Sequence, residues 1–294
     1  IFPLLISILL FISIVGAISI IQIQPVGNIV TDNSSVLIEY NFTTDYLNNL
    51  TWSWDNTNYS LYDDSLVLFM NFDNRSALGE NDTHVKDLSK YGNNGTVVGG
   101  SNISWTPNGK YGGAFNWTGN RSYIDVGNSH TLDFVNTSNF TISVWIYRTI
   151  NDDSSIIIKE GASKGYRFDL NGAKIYMKNP NGFSSVSSVS LINYNSWQQV
   201  VMVYSNQTIN FYINGIDAGV SGQLSNWIND TSSNVRIGNK GSDYWNGSID
   251  DVMIFNRSLS ASEILQFYKS SLTKYNLQNL TFNINQNLSI LNST

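Results

Sequence analysis

From about Asn28 to about Lys274, short runs of β-branched and aromatic residues alternate with clusters of Asn, Gly, Ser and Asp. This two-residue rhythm constrains the fold more than any other feature, because successive side chains of a strand point to opposite faces. In Phe140–Tyr147, Phe140, Ile142, Val144 and Ile146 share one face, while Thr141, Ser143, Trp145 and Tyr147 share the other. Val36–Phe42, Trp197–Tyr204 and Thr208–Ile213 repeat the theme, the last running into the turn dipeptide Asn214-Gly215. Many short strands separated by turn residues predict an all-β sandwich. A late helix is expected where Ser260-Ala-Ser-Glu263 forms a capping box ahead of Ile264, Leu265, Phe267 and Tyr268.

The 294 residues have room for one large domain and a smaller one. Net charge is −6 and only 13% of residues are charged, which argues against nucleic acid or an anionic membrane surface as a partner. There is no cysteine, so thiol catalysis and cysteine-ligated zinc are excluded, and with His84 and His130 as the two histidines a histidine-rich metal centre is excluded too. Polarity comes instead from Asn, Ser and Thr, and the chain holds nineteen Asn-X-Ser/Thr acceptor sites. They are Asn33, Asn41, Asn49, Asn58, Asn74, Asn81, Asn94, Asn102, Asn116, Asn120, Asn136, Asn139, Asn206, Asn229, Asn246, Asn256, Asn279, Asn287 and Asn292. That density fits an N-glycosylated surface protein, with turn sites such as Asn94, Asn102 and Asn246 modified first.

Ile1 to Gln24 carries no charge, and the first charged residue is Asp32. As a helix the segment would run ~36 Å, enough to cross a bilayer or line a filament core. An apolar stretch retained without a basic region before it is similar to the mature N-terminus of type IV pilins and archaeal flagellins. That resemblance implies assembly through the helix, with Leu5, Ser7, Leu10, Ile14, Gly16, Ala17 and Ile21 among its packing residues and with the membrane as its partner before assembly. Leu5 stands where bacterial members carry glutamate, which points to the archaeal group. A membrane anchor and an uncleaved signal are the alternatives. Pro25, Gly27 and Asn28 end the segment.

Between Ser65 and Ser271 lie, in order, Leu66–Asp73, the turn Asp87–Thr96, Gly109–Phe115, Tyr123–Gly127, Phe140–Trp145, Ser196–Val200, Phe211–Gly215 and Trp245–Leu259. This ordered set resembles the laminin-G-like, concanavalin-type jelly-roll family. The resemblance implies two curved antiparallel sheets packed face to face. The strand-like flanks, Val36–Tyr62 and Asn279–Leu288, are read either as partners in a small immunoglobulin-like β-domain or as independent linkers. The expected organisation is therefore a hydrophobic helix over 1–27, small β-domain strands over 28–64 and 272–294, and an inserted jelly roll over 65–271.

Relatives of this fold that hydrolyse glucans need two carboxyl groups ~5–5.5 Å apart. The four glutamates, Glu39, Glu80, Glu160 and Glu263, form no such cluster, and neighbouring acids such as Asp250-Asp251 point to opposite faces of a regular strand. No catalytic residue is expected. The jelly-roll resemblance implies instead a structural calcium at Asp73, Asp125 and Asp250; the alternative is that Asp73 and Asp250 are turn and strand-end acids solvated at the rim. Trp105, Trp227, Tyr244 and Trp245, in loop-like contexts, are glycan-stacking candidates or core contacts, whereas Trp52, Trp54, Trp117, Trp145 and Trp197 lie in strand patterns and read as core. The sequence thus predicts an extracellular, pilin-like filament subunit that packs against copies of itself and bears a lectin-like adhesive head for surface carbohydrate. The alternative is a membrane-anchored lectin that does not polymerise.

Overall fold

In the computed structural model the described residues are 9–14, 19–24, 35–44, 47–54, 57–119, 121–135, 137–151, 153–161, 164–178, 185–223, 228–229, 231–240 and 243–287. They fall into two compact units, residues 65–264 and residues 1–64 with 265–294.

The larger unit is a jelly roll of two antiparallel sheets. Its strands include β1 (Leu66–Met70), β2 (Ile103–Thr106), β3 (Ala114–Thr118), β4 (Tyr123–Gly127), β5 (Phe140–Arg148), β6 (Ser154–Gly161), β7 (Lys164–Asn171), β8 (Trp197–Ser205), β9 (Thr208–Ile213), β10 (Val235–Ile237) and β11 (Asn246–Phe255). The front sheet runs from Ile216–Asp217 through β9, β8, β5, β11 and β3 to β2, with β1 also paired to β11. The back sheet centres on β7, β6, β10 and β4. The alternation in β5 is realised: Phe140, Ile142, Val144 and Ile146 are fully buried and meet Tyr166, Phe168 and Ile237 of the back sheet in one core. Phe134 stacks on Phe140 at 4.4 Å, with planes 1° apart, and Tyr204 also stacks on Phe140, at 5.2 Å. Each such side chain contributes ~1.5–3 kcal/mol on burial. The turn before β2 is tied by Asp87, which accepts from the backbone N–H groups of Phe69, Ser89 and Asn93. The helix spans Ala261–Lys269, and its capping box closes as Ser260 N–H donates to Glu263 at 2.9 Å.

The smaller unit holds a three-stranded sheet (Leu9–Ile14, Leu47–Trp54, Thr57–Tyr62) and a four-stranded one (Ser19–Gln24, Ser35–Thr43, Asn279–Asn287, Ser270–Lys274). Ser35–Thr43 and Asn279–Asn287 pair along nine residues. Trp52 and Phe282, buried and 6.0 Å apart, bring the two sheets into contact.

These strands correct the expectation of one N-terminal helix. Leu10 and Ile14 lie in a strand opposite Trp52 and Leu47, and Ile21 lies in another opposite Asn41. Leu5, Ser7, Gly16 and Ala17 lie outside the described residues. The physical reason is the side-chain type: this segment is rich in isoleucine, whose branched Cβ suits a pleated surface, and the small unit supplies sheet partners for its backbone. Among the described residues no helix is long and apolar enough to cross a membrane.

Candidate functional site

Along β5 the outer face of the front sheet is covered at Thr141, Ser143 and Trp145 and open at Tyr147. At Thr141 it is closed by the segment after β11, since Thr141 Oγ1 donates to Arg257 O at 2.9 Å and accepts from Leu259 N–H at 3.0 Å. At Ser143 the amide of Gln199 covers it, at 3.2 Å. At Trp145 the loop before β3 folds over the ring, with Tyr111 edge-on at 5.7 Å and the Lys110 ammonium 4.5 Å from the ring centre. One step further, at Tyr147, the cover stops.

What remains is a row across five strands. Ser104 of β2 stands opposite Asn116 of β3, which faces Ser248 of β11, then Tyr147 of β5 and Trp197 of β8. All five are partly or fully exposed. With Trp105, Thr106 and Asn108 they line a groove of about 640 Å³. The Tyr147 and Trp197 rings meet edge to face at 5.8 Å. Ser248 Oγ donates to Asn116 Oδ1 at 3.2 Å. None of the described lining residues is charged. An aromatic pair beside hydroxyls and an amide offers an apolar face and directed hydrogen bonds at once, the composition of a site for a neutral polar ligand.

One wall of the groove is held by buried carboxylates. Asp250 Oδ2 accepts from the N–H groups of Lys110 at 2.8 Å and Tyr111 at 3.0 Å, and its Oδ1 accepts from Asp251 N–H at 2.7 Å. Asp73 Oδ1 accepts from Gly113 N–H at 3.1 Å. Trp105 is pinned by its indole N–H, which donates to Phe72 O at 2.8 Å. Gly113 permits that approach: a Cβ there would lie 2.5 Å from both Phe72 O and Trp105 Nε1.

Asp251 adopts a positive φ of 43° where the pairing with β5 shifts register, and this bulge breaks the strand alternation expected of the Asp250-Asp251 pair. Both carboxylates therefore feel Asp73. Burial pushes Asp250 and Asp251 well above the usual carboxylate range; the charges of Asp73, and for Asp251 of Asp250, push the same way. Burial likewise raises Asp73, opposed by the Gly113 N–H and by Arg75.

Asp73 and Asp250 are thus brought together, but Asp125 is not. It lies on β4 of the back sheet, where it accepts from Asn234 at 2.9 Å and faces Arg236 at 3.9 Å. Calcium requires six to eight converging oxygens. Among the described residues no three His, Cys, Asp or Glu side chains converge as ligands, and both oxygens of Asp250 already serve backbone donors. Asp73, Asp125 and Asp250 do not fit a shared calcium site.

Of the aromatic candidates, Trp105 lines the groove. Trp245 does not: it is 0% exposed in the sandwich core, because the strand rhythm resumes one residue before β11 and turns the indole inward. Tyr244 falls in a two-residue strand, Asp243–Tyr244, and Trp227 lies outside the described residues. Trp52, Trp117 and Trp145 are buried as their strand settings suggest, whereas Trp197 is half-exposed in the groove. Tyr147, Ser104 and Ser248 were missed as site residues, and Asn116 was named only as a glycan acceptor, although the period-two pattern already placed Tyr147 on the face away from the core. Asn33, Asn120, Asn136 and Asn292 lie outside the described residues; every acceptor asparagine whose side chain is described is at least partly exposed.

Residues 118–265 match the family described as the Concanavalin A-like lectin/glucanases superfamily. No curated protein matches the chain. Among solved structures, the binding domain of Paraclostridial Mosquitocidal Protein 1 is 20% identical with a TM-score of 0.54, covering 70% of this chain and 52% of that one. The Botulinum neurotoxin serotype G binding domain is 21% identical with a TM-score of 0.54, covering 69% and 50%. Domain 4 of AbnA, an extracellular arabinanase from Geobacillus stearothermophilus solved with arabinotriose, is 18% identical with a TM-score of 0.54, covering 68% and 97%. The chain spans about half the length of the two toxin domains.

Proposed function

The chain belongs to the concanavalin A-like lectin/glucanases superfamily, and from that premise we propose that its jelly roll is a non-hydrolytic carbohydrate-binding module of an extracellular surface protein. Its site is the groove of Tyr147, Trp197, Asn116 and Ser248. The observation that carries this reading is the uncharged row itself. Tyr147 and Trp197 offer ring faces to the apolar side of a sugar, and Asn116, Ser248 and Ser104 offer hydrogen bonds to its hydroxyls. The absence of charge among the lining residues selects neutral over acidic sugars. The arabinotriose bound to domain 4 of the arabinanase supports saccharide as the ligand class.

Binding without turnover is the expectation, because hydrolysis needs two carboxyl groups flanking the scissile bond and none of the described lining residues supplies one. The nineteen acceptor sites support an extracellular setting, and that setting supports adhesion to surface carbohydrate. A filament built on a continuous apolar helix loses its structural basis in the strands at Leu9–Ile14 and Ser19–Gln24.

The test uses the full chain from a host without N-glycosylation, run by affinity electrophoresis through neutral polysaccharides including arabinan. Retardation by at least one polymer, lost at least tenfold in Trp197→Ala, is the expected result. Retardation by none, or by all equally in the variant, overturns the site, and released reducing sugar overturns the absence of turnover.

A further inference from the structure

Asn116 stands in the groove and also begins the acceptor triplet Asn116-Trp117-Thr118. Strand alternation sorts the triplet in a particular way. Trp117 turns into the core, 1% exposed, with its indole N–H on Ser122 O at 3.2 Å. Asn116 and Thr118 turn out together, half-exposed and exposed. The Asn116 amide is engaged through its oxygen, by Ser248 Oγ, while its Nδ2 donates to no described group. The atom that N-glycosylation modifies therefore opens into the groove, two strands (roughly 10 Å) from Tyr147.

We propose that Asn116 is a modification switch for the groove, a reading that rests on the groove being the carbohydrate site. In the modifying step Nδ2 attacks the anomeric carbon of a lipid-linked oligosaccharide phosphate. The C–N bond forms as the bond from that carbon to the phosphate oxygen breaks. The lipid phosphate leaves with the electron pair, and Nδ2 gives up one proton to the transferase's base. The attached glycan then starts inside the groove and lies over Tyr147 and Trp197, so the module is closed to outside carbohydrate. Unmodified, the same asparagine lines an open groove and serves as a hydrogen-bonding group.

The test compares the full chain and its Thr118→Ala variant, both made in an N-glycosylating host. The variant removes the acceptor triplet but keeps Asn116, and Thr118 is an exposed side chain, so the core is untouched. Peptide mass spectrometry reads occupancy at Asn116, hydroxyl-radical footprinting reads Tyr147 and Trp197, and soluble arabinan is the binding probe. Expected are an occupied Asn116 in the parent, labelling of Tyr147 and Trp197 several-fold higher in the variant, and any arabinan retention confined to the variant. An unmodified Asn116 in the parent, or equal labelling of the two rings, overturns the switch. The footprint reads the groove whether or not arabinan binds. A labelling contrast without arabinan binding therefore keeps the closure of the groove by the Asn116 glycan and counts against arabinan as the groove's ligand.

Discussion

The carboxylate of Asp250 accepts the backbone N–H of Lys110 at 2.8 Å across 140 residues of sequence, and that bond fixes the loop that shapes one wall of the groove. An isosteric amide at 250 presents an N–H donor toward one of the backbone N–H groups that the carboxylate now satisfies. Asp250→Asn is therefore expected to destabilise the jelly roll by ~1–3 kcal/mol and to weaken saccharide binding by loosening Trp105 and Asn108. Thermal unfolding and affinity electrophoresis of the variant check both.

Among the described residues the Asp251 carboxylate accepts no such bonds, yet it adds a like charge beside Asp250 and Asp73. Asp251→Asn is expected to raise the melting temperature at pH 7 in chelator-containing buffer, opposite in sign to its neighbour. A lower melting temperature for both variants would show that repulsion is not what the cluster contributes.

The same cluster gives the stability a pH dependence. Asp73, Asp250 and Asp251 hold protons more tightly folded than unfolded, since burial raises each above the ordinary value of 3.8. Wherever the native state binds more protons, stability falls as pH rises, so the contribution is full below the unfolded value and is lost as pH rises through the raised folded ones. Glu80 and Asp87 are raised by burial too and add the same sign. The melting temperature is expected to climb as pH falls from 7 toward 5, and less steeply in Asp251→Asn. A scan that declines over that interval would count against the assignment.

Gly113 sits where a methyl group would strike Trp105 Nε1 and Phe72 O. Gly113→Ala is expected to break the Trp105–Phe72 hydrogen bond and lower saccharide affinity at least tenfold, with a smaller loss of stability. Intrinsic fluorescence shifted to the red would report the released indole.

Trp245, fully buried, belongs to stability and not to recognition. Trp245→Ala is expected to cost ~3–5 kcal/mol. Its indole N–H has no partner among the described residues, so Trp245→Phe, which removes that buried donor, is expected to cost much less. Urea unfolding of the pair measures the difference.

The sandwich was legible because burial imposes a period that sequence displays: Phe140, Ile142, Val144 and Ile146 could serve as nothing but an inner face. The groove was legible only in part. Its rings and polar groups come from strands far apart in the chain, and their convergence depends on sheet order, which periodicity does not encode. Trp197 and Trp245 show the ambiguity, since an indole beside a strand start reads alike whether it turns in or out. The Asp250–Asp251 bulge was hidden for a related reason, because a single residue at positive φ overturns the alternation on which facing arguments rest. The N-terminal segment misled because apolar composition alone does not choose between helix and strand when the run is rich in isoleucine.

The groove row and the core of β5 occupy interleaved positions on the same strand. Ile146 carries packing, and Tyr147, its immediate neighbour, carries contact with the outside. Selection can therefore rewrite Tyr147, Ser248, Asn116 and Ser104 one at a time while the residues between them keep the sandwich intact. A change of ligand preference in the groove therefore need not disturb the packing of the core.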